Sequence, residues 1–130
     1  MIIAVDTCVL VDFHYGEISR RTEILEEKLN LGQIFLPPVV ITEYLSNPRL
    51  DEKHYKFFKD MPTLEIDDNY WQRAAETRRK LLKKGLKAKL GDALIAQACI
   101  DNDVPLLTSD EDFLHYEKHC GLKLVLASNN

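Results

Sequence analysis

The chain is poor in the features that mark several large protein classes. It has 3 cysteines in 130 residues, an odd number with no CxxC spacing. That argues against a disulfide framework and fits reduced thiols. With 5 glycines and 5 prolines it is neither collagen-like nor a Pro/Gly-rich disordered segment. No apolar stretch approaches the roughly 18 residues a membrane span needs, so no membrane attachment is expected. A Gly-rich phosphate loop is missing, as is an elbow motif that would expose a serine nucleophile. The N-terminal stretch MIIAVDTCVLVDF lacks a basic leader and meets Asp6 after a few small or apolar residues. It reads as no signal peptide, and the expected location is cytoplasmic. Neither an internal repeat nor a linker interrupts the chain, and its length fits a single domain over 1–130.

What is present suits a folded globule: 45% of residues are hydrophobic, enough for a core without metal or disulfide staples. The net charge of −4 argues against a generic nucleic-acid coat, yet it hides an asymmetry. Between positions 71 and 91, eight basic residues (Arg73, Arg78, Arg79, Lys80, Lys83, Lys84, Lys87 and Lys89) face only Glu76. A basic stripe on an acidic body is either a polyanion footprint or the solvated face of a helix.

Five short apolar runs read as strands: 2–5 (IIAV), 33–36, 63–66, 105–108 and 122–126. The first is β-branched and continuous, as in a strand buried on both faces. Helical stretches separate them. Residues 69–84 place Trp71, Ala74, Ala75, Arg78, Leu81 and Leu82 on one face, with Asp67 or Asp68 as cap and Gly85 as the stop. Residues 18–31 form a second amphipathic stretch with Ile24, Leu25 and Leu29 inward. Residues 90–100 are apolar nearly all round, as in a helix packed on most sides. Strands alternating with helices predict an α/β fold with a parallel sheet.

In such sheets ligands bind beyond the carboxyl ends of the strands. Asp6 follows the first strand and Asp110 the fourth, with Thr7 and Thr108 beside them and Asp112 two residues further on. Asp92 is the acid in the first turn of the apolar LGDALIAQACI segment, and Glu43 is the only charge in PPVVITEYLS. Each has a plain structural reading as a helix cap, a dipole complement or an outward-facing residue. Four of them at strand ends and on apolar segments are harder to explain that way. Carboxylates about 4 Å apart repel by about 4 kcal/mol per pair at an effective dielectric near 20, so convergence requires shared protons or a cation. An all-oxygen set selects hard ions such as Mg2+ or Mn2+. Carboxylate-held ions of this kind serve phosphodiester hydrolysis.

The order Asp6 in IIAVDTCVL, Glu43 in VVITEYL, Asp92 in LGDALIAQACI and Asp110 in LLTSDEDF resembles the PIN domain, and more narrowly the VapC-type ribonuclease toxins. The likeness spans essentially the whole chain. It implies a three-layer α/β/α sandwich around a central parallel sheet, with the first and fourth strands adjacent. It also implies metal-dependent endoribonuclease activity, with Asp6, Glu43, Asp92 and Asp110 as the carboxylate quartet around Mg2+ or Mn2+. Asp112 would occupy the family's second acidic position, before Phe113, and join the metal set by assisting through water or structure, and Thr7 and Thr108 would support the site through their hydroxyls. The basic residues Arg78, Arg79, Lys83, Lys84 and Lys87 would then hold the RNA backbone. A VapB-type antitoxin and a homodimer are the partners implied. Two departures stand out: Cys8 replaces the usual Ser or Asn, and Pro37-Pro38 replaces a polar residue ahead of the Glu43 segment.

The rival reading is a PIN-like module that binds RNA or protein without cutting; an intact quartet argues against it. A signalling receiver domain would need a phosphoacceptor strand near mid-chain, where DEKHYKFFKD is too charged. His115, His119 and Cys120 lack the order of a zinc-protease motif and read as surface helix residues.

Overall fold

The parallel sheet forms where the apolar runs predict it, though with little regular strand. The computed structural model describes residues 1–126; positions 127–130, the tail of the expected domain, lie outside the described residues. Strand β1 (Ala4–Val5) pairs in parallel with β2 (Leu106–Leu107), Ala4 opposite Leu106 and Val5 opposite Leu107. Parallel bridges extend the sheet on both sides, Ile3 to Ile34 and Leu36 to Thr63 on one, Leu106 to Leu124 on the other. Ladder bonds such as Phe35 N to Ile3 O at 3.0 Å and Val125 N to Leu106 O at 2.9 Å complete it. All five expected segments therefore lie side by side, with the first and fourth at the centre. The strands are shorter than the apolar runs because the outer segments join the sheet only through isolated bridges and the central pair ladders over two residues each.

Ala4, Val5, Leu106 and Leu107 are all fully buried. Neighbouring strand residues point to opposite faces, so helices cover the sheet on both sides. Seven helices are present among the described residues: α1 (Thr7–His14), α2 (Arg20–Asn30), α3 (Pro38–Leu45), α4 (Glu52–Phe58), α5 (Tyr70–Lys83), α6 (Leu90–Asn102) and α7 (Phe113–Cys120). This is the three-layer α/β/α arrangement around a parallel sheet. The charged mid-chain segment is helix α4, not a strand.

Local chemistry sets the helix ends. The Asp6 carboxylate caps α1 by accepting from Thr7 N, and Ser19 and Thr22 cap α2 reciprocally. Pro37-Pro38 not only stops the preceding strand but starts α3, with Pro38 at the first helical position. Two expectations for α5 need correction. Its cap position is Asn69, without a side-chain cap bond. Asp67 instead accepts from Asn69 N and from Arg73, which also grips Asp101 at 2.7 Å and so ties α5 to the end of α6. Trp71 and Leu82 are not inward, being 57% and 48% exposed; α5 buries Tyr70, Ala74 and Leu81. Tyr70 immediately before Trp71 takes the aromatic place in the core, and the hundred-degree step between helix neighbours turns the indole outward.

Candidate active site

The site lies at the carboxyl edge of the two central strands. Strand β1 runs directly into Asp6, whose backbone N–H still bonds to Leu107 O at 2.9 Å. Asp6 is 6% exposed. Its carboxylate accepts from Thr7 N at 2.8 Å, from the Thr108 hydroxyl at 2.8 Å and from the Cys8 thiol at 3.1 Å. Burial raises its pKa above the usual 3.8; the hydrogen bonds oppose that and Asp110 adds to it.

Thr108 joins the two strand ends. Its hydroxyl donates to Asp6 Oδ2 and accepts from Asp110 N at 3.0 Å, and Asp110 Oδ1 in turn accepts from Asp112 N at 2.9 Å. The loop after β2 is thereby wound so that carboxylate oxygens of Asp92, Asp110 and Asp112 lie within 4.8 Å of one another. At that separation two full charges repel by about 3.5 kcal/mol at an effective dielectric near 20.

Asp92 enters from the first turn of α6, and its Oδ2 is buried without a hydrogen-bond partner among the described residues. Burial, then Asp110 and Asp6, push its pKa up to about 7; Lys89 opposes the rise. An all-carboxylate set with an orphaned buried oxygen fits a hard divalent ion, which would satisfy that oxygen and neutralise the cluster.

Glu43, on the exposed side of α3, reaches the same edge. The Thr7 hydroxyl donates to its Oε1 at 2.8 Å. Its other oxygen lies over Gly91, where an added Cβ would stand 3.1 Å away. Gly91 is thus the gap through which the glutamate reaches the start of α6. Gly91→Ala is expected to displace Glu43 while improving the helix, raising thermal stability by up to about 1 kcal/mol and lowering Mn2+ affinity. Calorimetric titration against a thermal melt of the same variant checks this opposition of sign; parallel changes would contradict it.

The structure thus brings Asp6, Glu43, Asp92, Asp110, Asp112, Thr7 and Thr108 to one edge. The basic residues divide. Lys87 Nζ is 3.9 Å from Asp112, beside the cluster. Arg78 is engaged internally, its Nε donating to Ala88 O at 2.8 Å between α5 and α6. Arg79 and Lys83 line a groove of about 610 Å3 between the same helices, with Trp71, Leu82 and Leu90 in its wall. Lys84 is exposed.

The sequence marks Cys8 only as a departure from the family pattern and gives no sign of Arg21. Cys8 occupies the hydrogen-bonding place of the expected Ser or Asn: its thiol donates to Asp6 and accepts from the Ser109 hydroxyl at 3.2 Å. Burial and the neighbouring Asp6 raise its pKa to about 11, so it stays a neutral donor. Its position two residues after Asp6 was the available signal. Arg21, from α2, donates from Nε to Thr108 O at 2.7 Å and braces the loop that carries Asp110. Nothing in the sequence ties residues so far apart. His115 and His119 lie half-buried on α7.

The sequence pattern of the family described as PIN domain matches residues 3–119. Among solved structures, one similar chain comes from VapBC2 of Rickettsia felis bound to a DNA fragment from its promoter. It has 21% identity and a TM-score of 0.73, with 95% of this chain and 97% of that chain covered. Another comes from VapBC-5 of Mycobacterium tuberculosis, a member of the VapBC family of toxin-antitoxin systems. It has 19% identity and a TM-score of 0.68, covering 97% and 98% of the two chains. No curated protein matches the sequence.

Proposed function

This chain belongs to the PIN domain family, and from that premise we propose that it is a metal-dependent endoribonuclease, the VapC-type toxin of a toxin-antitoxin pair. The observation that carries the reading is the cluster of Asp92, Asp110 and Asp112 within 4.8 Å, with Asp6 and Glu43 held at the same strand edge. Asp6, Glu43, Asp92 and Asp110 form the proposed catalytic quartet, which with Asp112 would hold Mg2+ or Mn2+. A hard ion bound there supplies neutralising charge for the phosphate and acidity for water.

The side chains around that place have separable tasks. Three donors fix Asp6. Thr7 turns Glu43 inward. Asp92 Oδ2 has no donor to satisfy it and burial with neighbouring carboxylates raises its pKa, a cost that a bound divalent ion would relieve. Lys87, Arg79, Lys83 and Lys84 are the proposed phosphate contacts, with Arg78 shaping their surface. Neutralising Lys83, Lys84 and Lys87 together to Gln is expected to reduce the slope of RNA affinity against salt by about 2, at roughly 0.7 per contact for a single strand. An unchanged slope in filter-binding titrations would remove these residues from the RNA path.

A VapB-type antitoxin and a second copy of the chain are the proposed protein partners. The exposed apolar wall of Trp71, Leu82 and Leu90, at 57%, 48% and 62%, supports a protein contact. We read the chain as one domain acting in the cytoplasm; among the described residues no helix is long and apolar enough to cross a membrane. The deciding experiment is cleavage of total cellular RNA with Mg2+, Mn2+ or EDTA, beside Asp92→Asn. Discrete fragments that require metal and vanish in the variant support the proposal. Uncut RNA in every lane from a folded chain overturns it.

A further inference from the structure

We propose that His14, Asp51 and His54 form a second, separate metal site that takes a borderline first-row ion of the zinc type. It lies at the far end of α1 from Thr7, roughly 10 Å along the helix by its rise per residue. His14 is in the last turn of α1, Asp51 is the cap of α4, and His54 stands one turn into α4. His14 Nδ1 and His54 Nδ1 are 2.9 Å apart, and His54 Nδ1 is 3.5 Å from Asp51 Oδ2. One ligand atom from each of the three lies within 4.8 Å of the other two.

The spacing is that of ligands. Zinc–nitrogen bonds of about 2.0–2.1 Å at a tetrahedral angle separate two nitrogens by about 3.3 Å, so the two Nδ1 atoms need part by only a few tenths of an ångström, each ring turning to aim its lone pair at the ion. The side chains are also oriented in advance. Asp51 Oδ1 accepts from His54 N at 2.8 Å, which fixes the carboxylate and leaves Oδ2 toward the ring. The His54 ring is held between Phe13 and Phe58, at centroid distances of 6.1 Å and 6.0 Å. The His14 ring lies against Tyr15 at 4.9 Å.

Without an ion, two facing Nδ1 atoms are compatible only if one carries a proton and the other does not. Metal binding would shift that proton from Nδ1 to Nε2 of the same ring, leaving both rings neutral and both Nδ1 lone pairs on the ion. Two imidazoles and one carboxylate suit zinc far better than magnesium, which prefers oxygen alone, so the two sites would sort their ions by ligand chemistry. With three protein ligands, a fourth position is left for water. A bound ion would clip α4 onto α1 and stabilise the segment that follows α3.

The test uses the untagged chain, stripped with EDTA and dialysed against Zn2+ in excess Mg2+. The parent is expected to retain one equivalent of Zn2+, to melt at higher temperature with Zn2+ than without, and to show imidazole nitrogen at the zinc X-ray edge. Loss of an outer-shell partner alone costs 10–100-fold in affinity at metal sites, so His14→Gln and His54→Gln should each weaken binding by at least about tenfold. Asp92→Asn should leave it unchanged. Asp51→Asn keeps the helix cap and removes only the charge, so it reports on the site even if a histidine variant folds poorly. No retained zinc, an oxygen-only shell, or parent-like affinity in Asp51→Asn and both histidine variants would each overturn the proposal and leave only a hydrogen-bonded histidine pair.

Discussion

Asp92→Asn is expected to lower RNA cleavage by at least about 100-fold while making the metal-free fold more stable. The loss of activity follows from removing a charged oxygen from the cluster with Asp110 and Asp112. The gain in stability follows from linkage. The Asp92 pKa is raised in the fold from 3.8 to about 7, so the folded state holds this proton more tightly than the unfolded state. The favourable contribution is complete below the unfolded value near 3.8 and is lost as pH rises toward about 7. Above that, the metal-free protein carries a partly buried carboxylate with an unpartnered oxygen. Asn removes the charge and, with it, the dependence. At about pH 8 the variant should be more stable than the parent by about 0.5–2 kcal/mol, the usual gain when a functional site is relieved of strain. Below about pH 4 the two should converge. Added Mn2+ should stabilise the parent and leave the variant unmoved. Denaturant melts at the two pH values, with and without Mn2+, read all of this. A variant that melts below the parent at the higher pH would mean that Asp92 is already compensated within the protein.

Thr108→Val should show the opposite pattern, losing both stability and activity. The substitution preserves shape and removes one hydroxyl, which donates to the buried Asp6 carboxylate at 2.8 Å and accepts from Asp110 N at 3.0 Å. A hydrogen bond to a charged group is worth about 1.5–3 kcal/mol, so a destabilisation of about 2 kcal/mol is expected. Asp6, whose pKa burial already raises, loses one of the three donors that oppose the rise. The acid limb of the cleavage profile should therefore move to higher pH. Thr108→Ser retains the hydroxyl and should restore both properties. A Val variant with the parent's melting midpoint and pH profile would show that the hydroxyl contributes to neither.

These predictions rest on residues that were unequally visible in the sequence. The chain by itself determined the α/β class, because short β-branched runs alternating with amphipathic stretches can bury their apolar faces in few other ways. It also marked Asp6, Glu43, Asp92 and Asp110, since a carboxylate in an apolar context is costly and stands out. Local chemistry was legible too: the Pro37-Pro38 stop and the left-handed glycine after α5 are set by neighbours in the chain.

What only the tertiary structure decided are the contacts between distant segments. Arg21 bracing Thr108, Gly91 opening a path for Glu43, and His14 meeting His54 join positions that no periodicity relates. The same holds for Trp71 and Leu82, which a helical wheel places with the core but which lie on the surface. Periodicity identifies an apolar face; which part of it meets the sheet depends on how neighbouring helices pack. The sequence could name the acids because burial cost is a property of each residue with its neighbours. It could not supply their arrangement, because distance and hydrogen bonding across the sheet edge are properties of pairs that only folding creates.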